Sequence, residues 1–114
     1  MTEVLNATDA DAVFAEVEAA LVDRSTSVVR VRTGQEVAGA VAASTPDLVV
    51  LDLQIGNMGG IAACLTLRHE AGADRLPDVP VLMLLDRQAD VFLAKRSGAD
   101  GWVVKPLDAF SLRR

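Results

Sequence analysis

The 114-residue sequence is poor in the residues from which disulfides, metal centres and membrane spans are built. Cys64 is the only cysteine and His69 the only histidine, so one chain can form neither an internal disulfide nor a Cys/His metal site. No apolar run approaches the roughly 20 residues of a membrane-spanning helix, and the polar amino terminus lacks a signal-peptide pattern. We therefore expect a reduced, cytoplasmic setting without membrane insertion.

An excess of basic charge is also missing. Lysine and arginine number 11 against 16 acidic residues, and this net charge of −5 argues against direct nucleic-acid binding by this segment. The chain is long enough, and apolar enough at 51% hydrophobic residues, to hold one core. We predict that residues 1–114 form a single domain and include no output domain.

The most informative stretch covers residues 46–60 and reads P-D-L-V-V-L-D-L-Q-I-G-N-M-G-G. Its apolar run Leu48–Leu51, rich in β-branched residues, predicts a strand buried on both faces. Asp52 follows at once, and three glycines then predict a tight loop before a helix resumes near Ile61. Ligands bind at the carboxyl ends of strands in open parallel sheets, so Asp52 is the leading functional candidate.

Strands and helices alternate along the sequence, a pattern typical of right-handed crossovers and a parallel sheet. The second strand alternates less cleanly than the others, which indicates an edge strand whose Arg30 and Arg32 face water. The predicted strands cover Glu3–Thr8, Val28–Arg32, Leu48–Leu51, Val81–Leu85 and Trp102–Val104.

Turn chemistry sets the limits of the predicted helices. The Thr8–Asp11 segment offers N-cap side chains for the first helix. Gly34 opens the second helix, which ends before the next proline because the residue preceding a proline disfavours helix. The fourth helix covers Asp90–Ser97 and is closed by Gly98.

Three segments resemble the receiver domains of bacterial two-component response regulators. They are residues 46–60, V-P-V-L-M-L-L at 79–85 and G-A-D-G-W-V-V-K-P at 98–106, in the family's order and spacing. The resemblance extends over essentially the whole chain. It implies an α/β, flavodoxin-like fold with a doubly wound, five-stranded parallel sheet of order 2-1-3-4-5.

In that family the strand-end aspartate accepts a phosphoryl group from a sensor histidine kinase, so the resemblance makes Asp52 the phosphoacceptor of a phosphorelay. It makes Lys105 the cation that pairs with Asp52 or with the phosphoryl group, followed by Pro106 through a cis peptide bond. Magnesium would offset the repulsion between the carboxylate and the phosphoryl oxygens. Its protein ligands would be the carboxylates of Asp9 and Asp52 and the backbone carbonyl of Gln54.

Each of these residues has a plainer interpretation as well. Asp52 could cap a helix or a loop, and Lys105 taken alone could be a solvated lysine. For Asp9, capping the first helix explains the residue almost as well as metal binding. In the family interpretation the domain is not an enzyme but a phosphoacceptor that assists its own phosphotransfer and dephosphorylation.

Four residues depart from the family's pattern. Thr8 stands where the first of two strand-1 acids is usual, so magnesium affinity should fall. Leu85 replaces the hydroxyl residue at the end of strand 4 that bonds the phosphoryl oxygen and draws the loop inward. Asp86 adds negative charge where a small residue is preferred, and Gly56 replaces the usual proline after the acceptor, which should loosen that loop.

Trp102 occupies the family's switch-aromatic position. One interpretation is a rotamer that reports phosphorylation on the face of helix 4, strand 5 and helix 5. With Leu85 opposite, we favour the other, a half-buried tryptophan that faces a partner. Cys64, at helical spacing, is expected in the core, and His69 on the surface near the end of the third helix.

Two functions of different classes fit these residues. The favoured one is an atypical receiver that accepts phosphate slowly on Asp52, with weak magnesium binding and damped switching. The alternative is a phosphorylation-independent pseudo-receiver that acts as a protein-interaction module. A flavodoxin-like cofactor binder fits poorly because no phosphate-cradling loop follows the first strand. In either case we expect a downstream protein partner on helix 4, strand 5 and helix 5.

The predicted fifth helix, capped by Asp108, is truncated. It has only residues 107–114 to cover one face of the sheet, from which Phe110 can pack inward. An uncovered apolar face is rare in monomers. We therefore expect either a trimmed version of a longer protein or a homodimer that covers this face.

Overall fold

The computed structural model describes residues 2–53 and 59–105. Within those ranges the strands are β1 (Thr2–Ala7), β2 (Thr26–Val31), β3 (Leu48–Asp52), β4 (Val81–Leu85) and β5 (Gly101–Val104). The helices are α1 (Asp11–Leu21), α2 (Val37–Ser44), α3 (Gly60–Gly72) and α4 (Val91–Arg96). Short 3₁₀ turns at Gly34–Glu36 and Gln88–Asp90 lead into α2 and α4.

The strands form one parallel sheet of order β2-β1-β3-β4-β5, which confirms the predicted flavodoxin-like topology. Its register aligns the carboxyl ends of neighbouring strands. Ala7 of β1 pairs with Leu51 of β3, which pairs in turn with Met83 of β4, and Leu85 pairs with Val104 of β5. The residues that follow these strands therefore share one edge of the sheet.

Both faces of the sheet are covered by apolar side chains. One core cluster lies between the sheet and α2, α3 and α4 and includes Leu51 and Leu85. The other lies against α1 and includes Val17, Val50 and Leu84. Successive residues of β3 point into opposite cores, and this double burial is why its sequence is an unbroken apolar run.

The predicted element limits are correct to within a few residues. β4 has the predicted bounds, and β3 continues one residue further to include Asp52. β2 begins at Thr26 and ends at Val31, earlier than predicted, because it pairs with β1 along the full length from Thr2 to Ala7. The expected fifth helix lies outside the described residues.

The helix ends differ in detail from the predicted ones. The N-cap residue of α1 is Ala10, without a side-chain cap bond, and the backbone N–H of Ala10 donates instead to the Thr8 hydroxyl at 3.1 Å. α4 ends at Arg96 with Ser97 as its C-cap. Gly98 follows at φ 88°, in the left-handed conformation that favours glycine after a helix.

The prediction that Arg30 faces water is wrong. Its side chain is only 13% exposed, because the strand places it on the same face as α1 and its guanidinium lies 5.1 Å from the centre of the Phe14 ring. Arg32, beyond the end of β2, is exposed as predicted.

The structure confirms the predicted positions of the single cysteine and histidine. Cys64 is fully buried, with Sγ 3.3 Å from the carbonyl oxygen of Ser97, and burial raises the pKa of its thiol. His69 is exposed on α3. Over the described part of the chain, none of the helices is long and apolar enough to cross a membrane.

At Gly60, the first residue of α3, the backbone passes close to the backbone at the end of β3. A β-carbon at this residue would lie 2.5 Å from the carbonyl oxygen of Asp52, a distance that requires the main chain to move. At Gly39 in α2, by contrast, a β-carbon would meet nothing within 4 Å.

We expect Gly60→Ala to lower the free energy of unfolding by roughly 1–3 kcal/mol through overpacking. Gly39→Ala is the matched control and should raise it by about 0.5–1 kcal/mol, because alanine loses less entropy in a helix. Urea denaturation of both variants measures the difference. An unchanged stability for Gly60→Ala would contradict the close approach.

Candidate functional site

Asp52 is a buried carboxylate at the end of the central strand β3. It is 1% exposed, and both of its oxygens accept hydrogen bonds. The Lys105 ammonium donates to Oδ1 at 2.8 Å, and the Thr8 hydroxyl donates to Oδ2 at 2.7 Å. A buried carboxylate needs such partners because its charge has lost the stabilisation of water.

Lys105 follows β5 and reaches across the sheet edge. Its backbone N–H donates to the Leu85 carbonyl at 2.7 Å, which continues the pairing of β4 with β5. Its ammonium contacts Asp52 and also Asp86, whose Oδ1 lies 3.1 Å away. The side chain is 19% exposed, so Lys105 is not a solvated lysine but a bridge between two carboxylates.

The charge of Lys105 is stabilised by these contacts. Burial by itself lowers the pKa of this ammonium, but the hydrogen bonds and charges of Asp52 and then Asp86 outweigh burial and raise its pKa above the usual value. Lys105 is therefore protonated throughout the neutral range. The site holds a permanent cation next to the Asp52 carboxylate.

Thr8 orients Asp52 through a hydrogen bond that was not predicted from the sequence. It is fully buried, and its hydroxyl donates to Asp52 while it accepts from the backbone N–H of Ala10. One side chain thus connects the end of β1, the start of α1 and the Asp52 carboxylate. The hydroxyl of Thr8 is a hydrogen-bond donor to Asp52, whereas an acidic side chain at this residue would repel it.

Arg30 places a second cation near this edge. Its Nε donates to the backbone carbonyl of Thr8 at 3.1 Å, and its Nη1 donates to Asp11 at 2.8 Å. The hydrogen bond and charge of Arg30 lower the pKa of the exposed Asp11 carboxyl, with a smaller contribution from Arg32. The position of Arg30 at this edge could have been predicted only from the register of β2 against β1, which the sequence does not contain.

The remaining predicted site residues are only partly described. Asp9 is exposed in the loop between β1 and α1, at the same edge as Asp52. Asp86 is exposed at the end of β4, where its contact with Lys105 brings it into the site. Gln54, Gly56 and Pro106 lie outside the described residues.

The carboxylates at this edge are of the chemical type that binds magnesium, but those described do not make a complete set of metal ligands. The carboxylates of Asp52 and Asp9 are hard oxygen ligands of the type that Mg²⁺ prefers. Residues 2–53 and 59–105 contain no group of three or more acidic, histidine or cysteine side chains arranged to hold a metal. Both oxygens of Asp52 are also engaged by Thr8 and Lys105, so a metal ion would compete with contacts already made.

Leu85 and Trp102 belong to the apolar core behind the site. Leu85 is fully buried in the cluster beneath α2, α3 and α4, and Trp102 is half-buried and packs against that cluster. The Lys95 ammonium lies 5.3 Å from the centre of the Trp102 ring. Leu85 therefore brings no polar group to the carboxyl edge.

Comparison with known proteins identifies the family. A family model described as the response regulator receiver domain matches residues 4–114. The chain belongs to this family. The DNA-binding response regulator MtrA of Mycolicibacterium smegmatis is 41% identical over 75 residues, which are 64% of this chain and 30% of that protein. The transcriptional regulatory protein CseB of Streptomyces avermitilis is 32% identical over 109 residues, 94% of this chain and 44% of that protein.

This receiver domain thus spans less than half the length of the curated relatives it matches. Among solved structures, the receiver domain of the sensor histidine kinase PA1611 from Pseudomonas aeruginosa superposes with a TM-score of 0.84 at 22% identity. The match covers 99% of this chain and 92% of that one, and that structure has a magnesium ion coordinated in its active-site cleft. At this identity the likeness supports the receiver fold alone.

The hydrogen bond from Thr8 to Asp52 can be tested through stability. Thr8→Val keeps the shape of the side chain but removes the donor, and we expect it to cost roughly 1–3 kcal/mol because a buried carboxylate oxygen loses a partner. Thr8→Ser retains the hydroxyl and should cost less. Urea denaturation measures both variants, and equal losses would show that packing rather than the hydroxyl is responsible.

Proposed function

We propose that this receiver domain accepts a phosphoryl group on Asp52 from a sensor histidine kinase, and that it does so slowly, with weak magnesium binding and damped switching. Membership of the receiver family supports the class of reaction. The observation that carries the assignment is the buried Asp52 carboxylate paired with the Lys105 ammonium at 2.8 Å. A strand-end acid with its own cation suits the transfer of an anionic group.

In this proposal a carboxylate oxygen of Asp52 forms the new bond to phosphorus as the bond to the donor breaks. Lys105 pairs with the negative charge of the transferred group, and the hydrogen bond from Thr8 holds Asp52 in one orientation. Magnesium, when bound, neutralises the phosphoryl oxygens. Asp9, Asp52 and the backbone carbonyl of Gln54 would hold it, with the uncharged Thr8 in place of a further acid.

Two residues support the damped character of the switch. The apolar side chain of Leu85 has no donor for a phosphoryl oxygen and is fully buried among other apolar groups. Asp86 brings a carboxylate to the mouth of the site, where it opposes an incoming anion. Phosphorylation would therefore rearrange the end of β4 only weakly.

The alternative is a pseudo-receiver that signals through protein contacts without phosphorylation. It is favoured by Thr8, Leu85 and Asp86, because Thr8 adds no charge for a metal ion, Leu85 has no donor for a phosphoryl oxygen and Asp86 opposes an incoming anion. On the exposed side of α4, Phe92 is 63% exposed. In both schemes we assign the downstream partner, or a second copy of the chain, to the face of α4 and β5 together with the predicted fifth helix.

The proposed function also implies where the domain acts and what it contacts. MtrA is a DNA-binding regulator, but it is far longer than the matched segment. For this chain we propose signal reception without direct nucleic-acid contact, consistent with its net charge of −5. We also propose a cytoplasmic location, because a sensor kinase would reach the domain there.

Phosphorylation of Asp52 can be tested directly with acetyl phosphate and magnesium, followed by intact-protein mass spectrometry. We expect slow, partial addition of one phosphoryl group and its loss in Asp52→Asn. Asp74→Asn is the matched control, because Asp74 is exposed at φ 61°, a conformation that asparagine tolerates. Labelling that persists in Asp52→Asn would exclude this acceptor, fast stoichiometric labelling would contradict damping, and none at all would favour the pseudo-receiver.

Weak magnesium binding should trace to Thr8. We expect Thr8→Asp to tighten the magnesium affinity on the order of tenfold, because ligand charge sets the affinity of hard cations. Thr8→Asn has the same shape without the charge and should give no gain. Isothermal titration calorimetry compares the three proteins. An unchanged affinity for Thr8→Asp would mean that another acid, such as Asp11 or Asp86, already serves.

A further inference from the structure

Asp86 is held next to the phosphoryl site by the pairing of β4 with β5. It follows the last residue of β4, and the bond from the Lys105 backbone N–H to the Leu85 carbonyl brings the two residues side by side. The Asp86 Oδ1 lies 3.1 Å from the Lys105 ammonium, which also donates to Asp52 at 2.8 Å. One cation therefore serves two carboxylates from adjacent strands.

The two carboxylates differ in how easily they can leave this cation. Asp52 is buried, so removal of its partner would leave a charge without water or compensation. The Asp86 side chain is 37% exposed and can be hydrated after it leaves Lys105. Asp86 is therefore the exchangeable partner of the pair.

A phosphoryl group on Asp52 would be a further anion next to the same ammonium. A lysine ammonium is a compact point charge with three donors, and its attraction is shared among the anions around it. Like charges at such short range also repel each other strongly in a partly buried site. A phosphoryl group on Asp52 and the Asp86 carboxylate therefore weaken each other's attraction to Lys105.

We propose that Asp86 is a resident anion that competes with the phosphoryl group on Asp52 for Lys105, and so slows the phosphorylation of this domain. The proposal rests on the proposed function, because it takes Asp52 as the point of attachment. Transfer to Asp52 then requires Lys105 to exchange the Asp86 carboxylate for a phosphoryl oxygen. Asp86 is thus a positioning residue that acts on phosphoryl transfer through Lys105.

The test compares the wild type with Asp86→Asn and Asp86→Ala, the second of which also removes the residual amide acceptor. Glu18→Gln, which neutralises an exposed acid of α1, controls for net charge. Acetyl phosphate with magnesium is the probe, and mass spectrometry measures the labelling rate. We expect both Asp86 variants to be labelled roughly two- to fivefold faster than the wild type, the range open to a partly exposed ion pair, and Glu18→Gln to match the wild type.

A second measurement follows the contact itself without phosphorylation. The exchange of the Lys105 ammonium protons with water, measured by NMR, should be faster in both Asp86 variants and unchanged in Glu18→Gln. Faster labelling with unchanged proton exchange would mean that Asp86 merely repels the donor, and it would overturn the proposal. Faster proton exchange with an unchanged labelling rate would overturn the proposal too. The same holds if neither the wild type nor the Asp86 variants are labelled at all.

The outcomes separate this proposal from the proposed function. If the wild type is labelled and the Asp86 variants are labelled at the same rate, Asp52 remains the acceptor and the competition is refuted. If only the Asp86 variants are labelled, the natural chain is not a phosphoacceptor. The competition at Lys105 is then supported in its strongest form.

Discussion

The arrangement of the strand ends at the carboxyl edge of the sheet depends on the compensation of the buried Asp52 charge. Asp52 is 1% exposed, and a carboxylate in that position is tolerated only when its oxygens are paired. Its partners Thr8 and Lys105 come from the ends of β1 and β5. The charge thus constrains the relative positions of β1, β3 and β5, and an error of register in any of these strands would leave it uncompensated.

Much of the fold was predictable because burial on both faces produces a distinctive sequence. The apolar runs of β3 and β4 gave their positions to within one residue, and alternation with helices gave the parallel order. Arg30 was wrongly predicted, since an alternating pattern does not say which face a helix covers. The contact between Asp86 and Lys105 depends on the register of β4 against β5 and on two rotamers, neither of which the sequence contains.

Thr8 affects the balance of charge at the sheet edge, because its hydroxyl stabilises Asp52 without adding a negative charge. An acid at residue 8 would repel Asp52 and attract a cation, whereas the hydroxyl of Thr8 donates a hydrogen bond to Asp52. Lys105 is shared between Asp52 and Asp86, so these three side chains together retain one negative charge. This residual charge opposes an incoming phosphoryl group, in line with the slow phosphorylation that we propose, whereas the weak metal binding that we propose follows from the uncharged Thr8.

The close approach at Gly60 has an evolutionary consequence. The atom that a side chain would strike is the carbonyl oxygen of residue 52, which every amino acid carries, so no substitution at a neighbouring position can relieve the clash. The glycine should therefore persist among relatives without a covarying partner. It should persist even in those that have lost the aspartate, because the geometry of the backbone rather than the chemistry of the acceptor requires it.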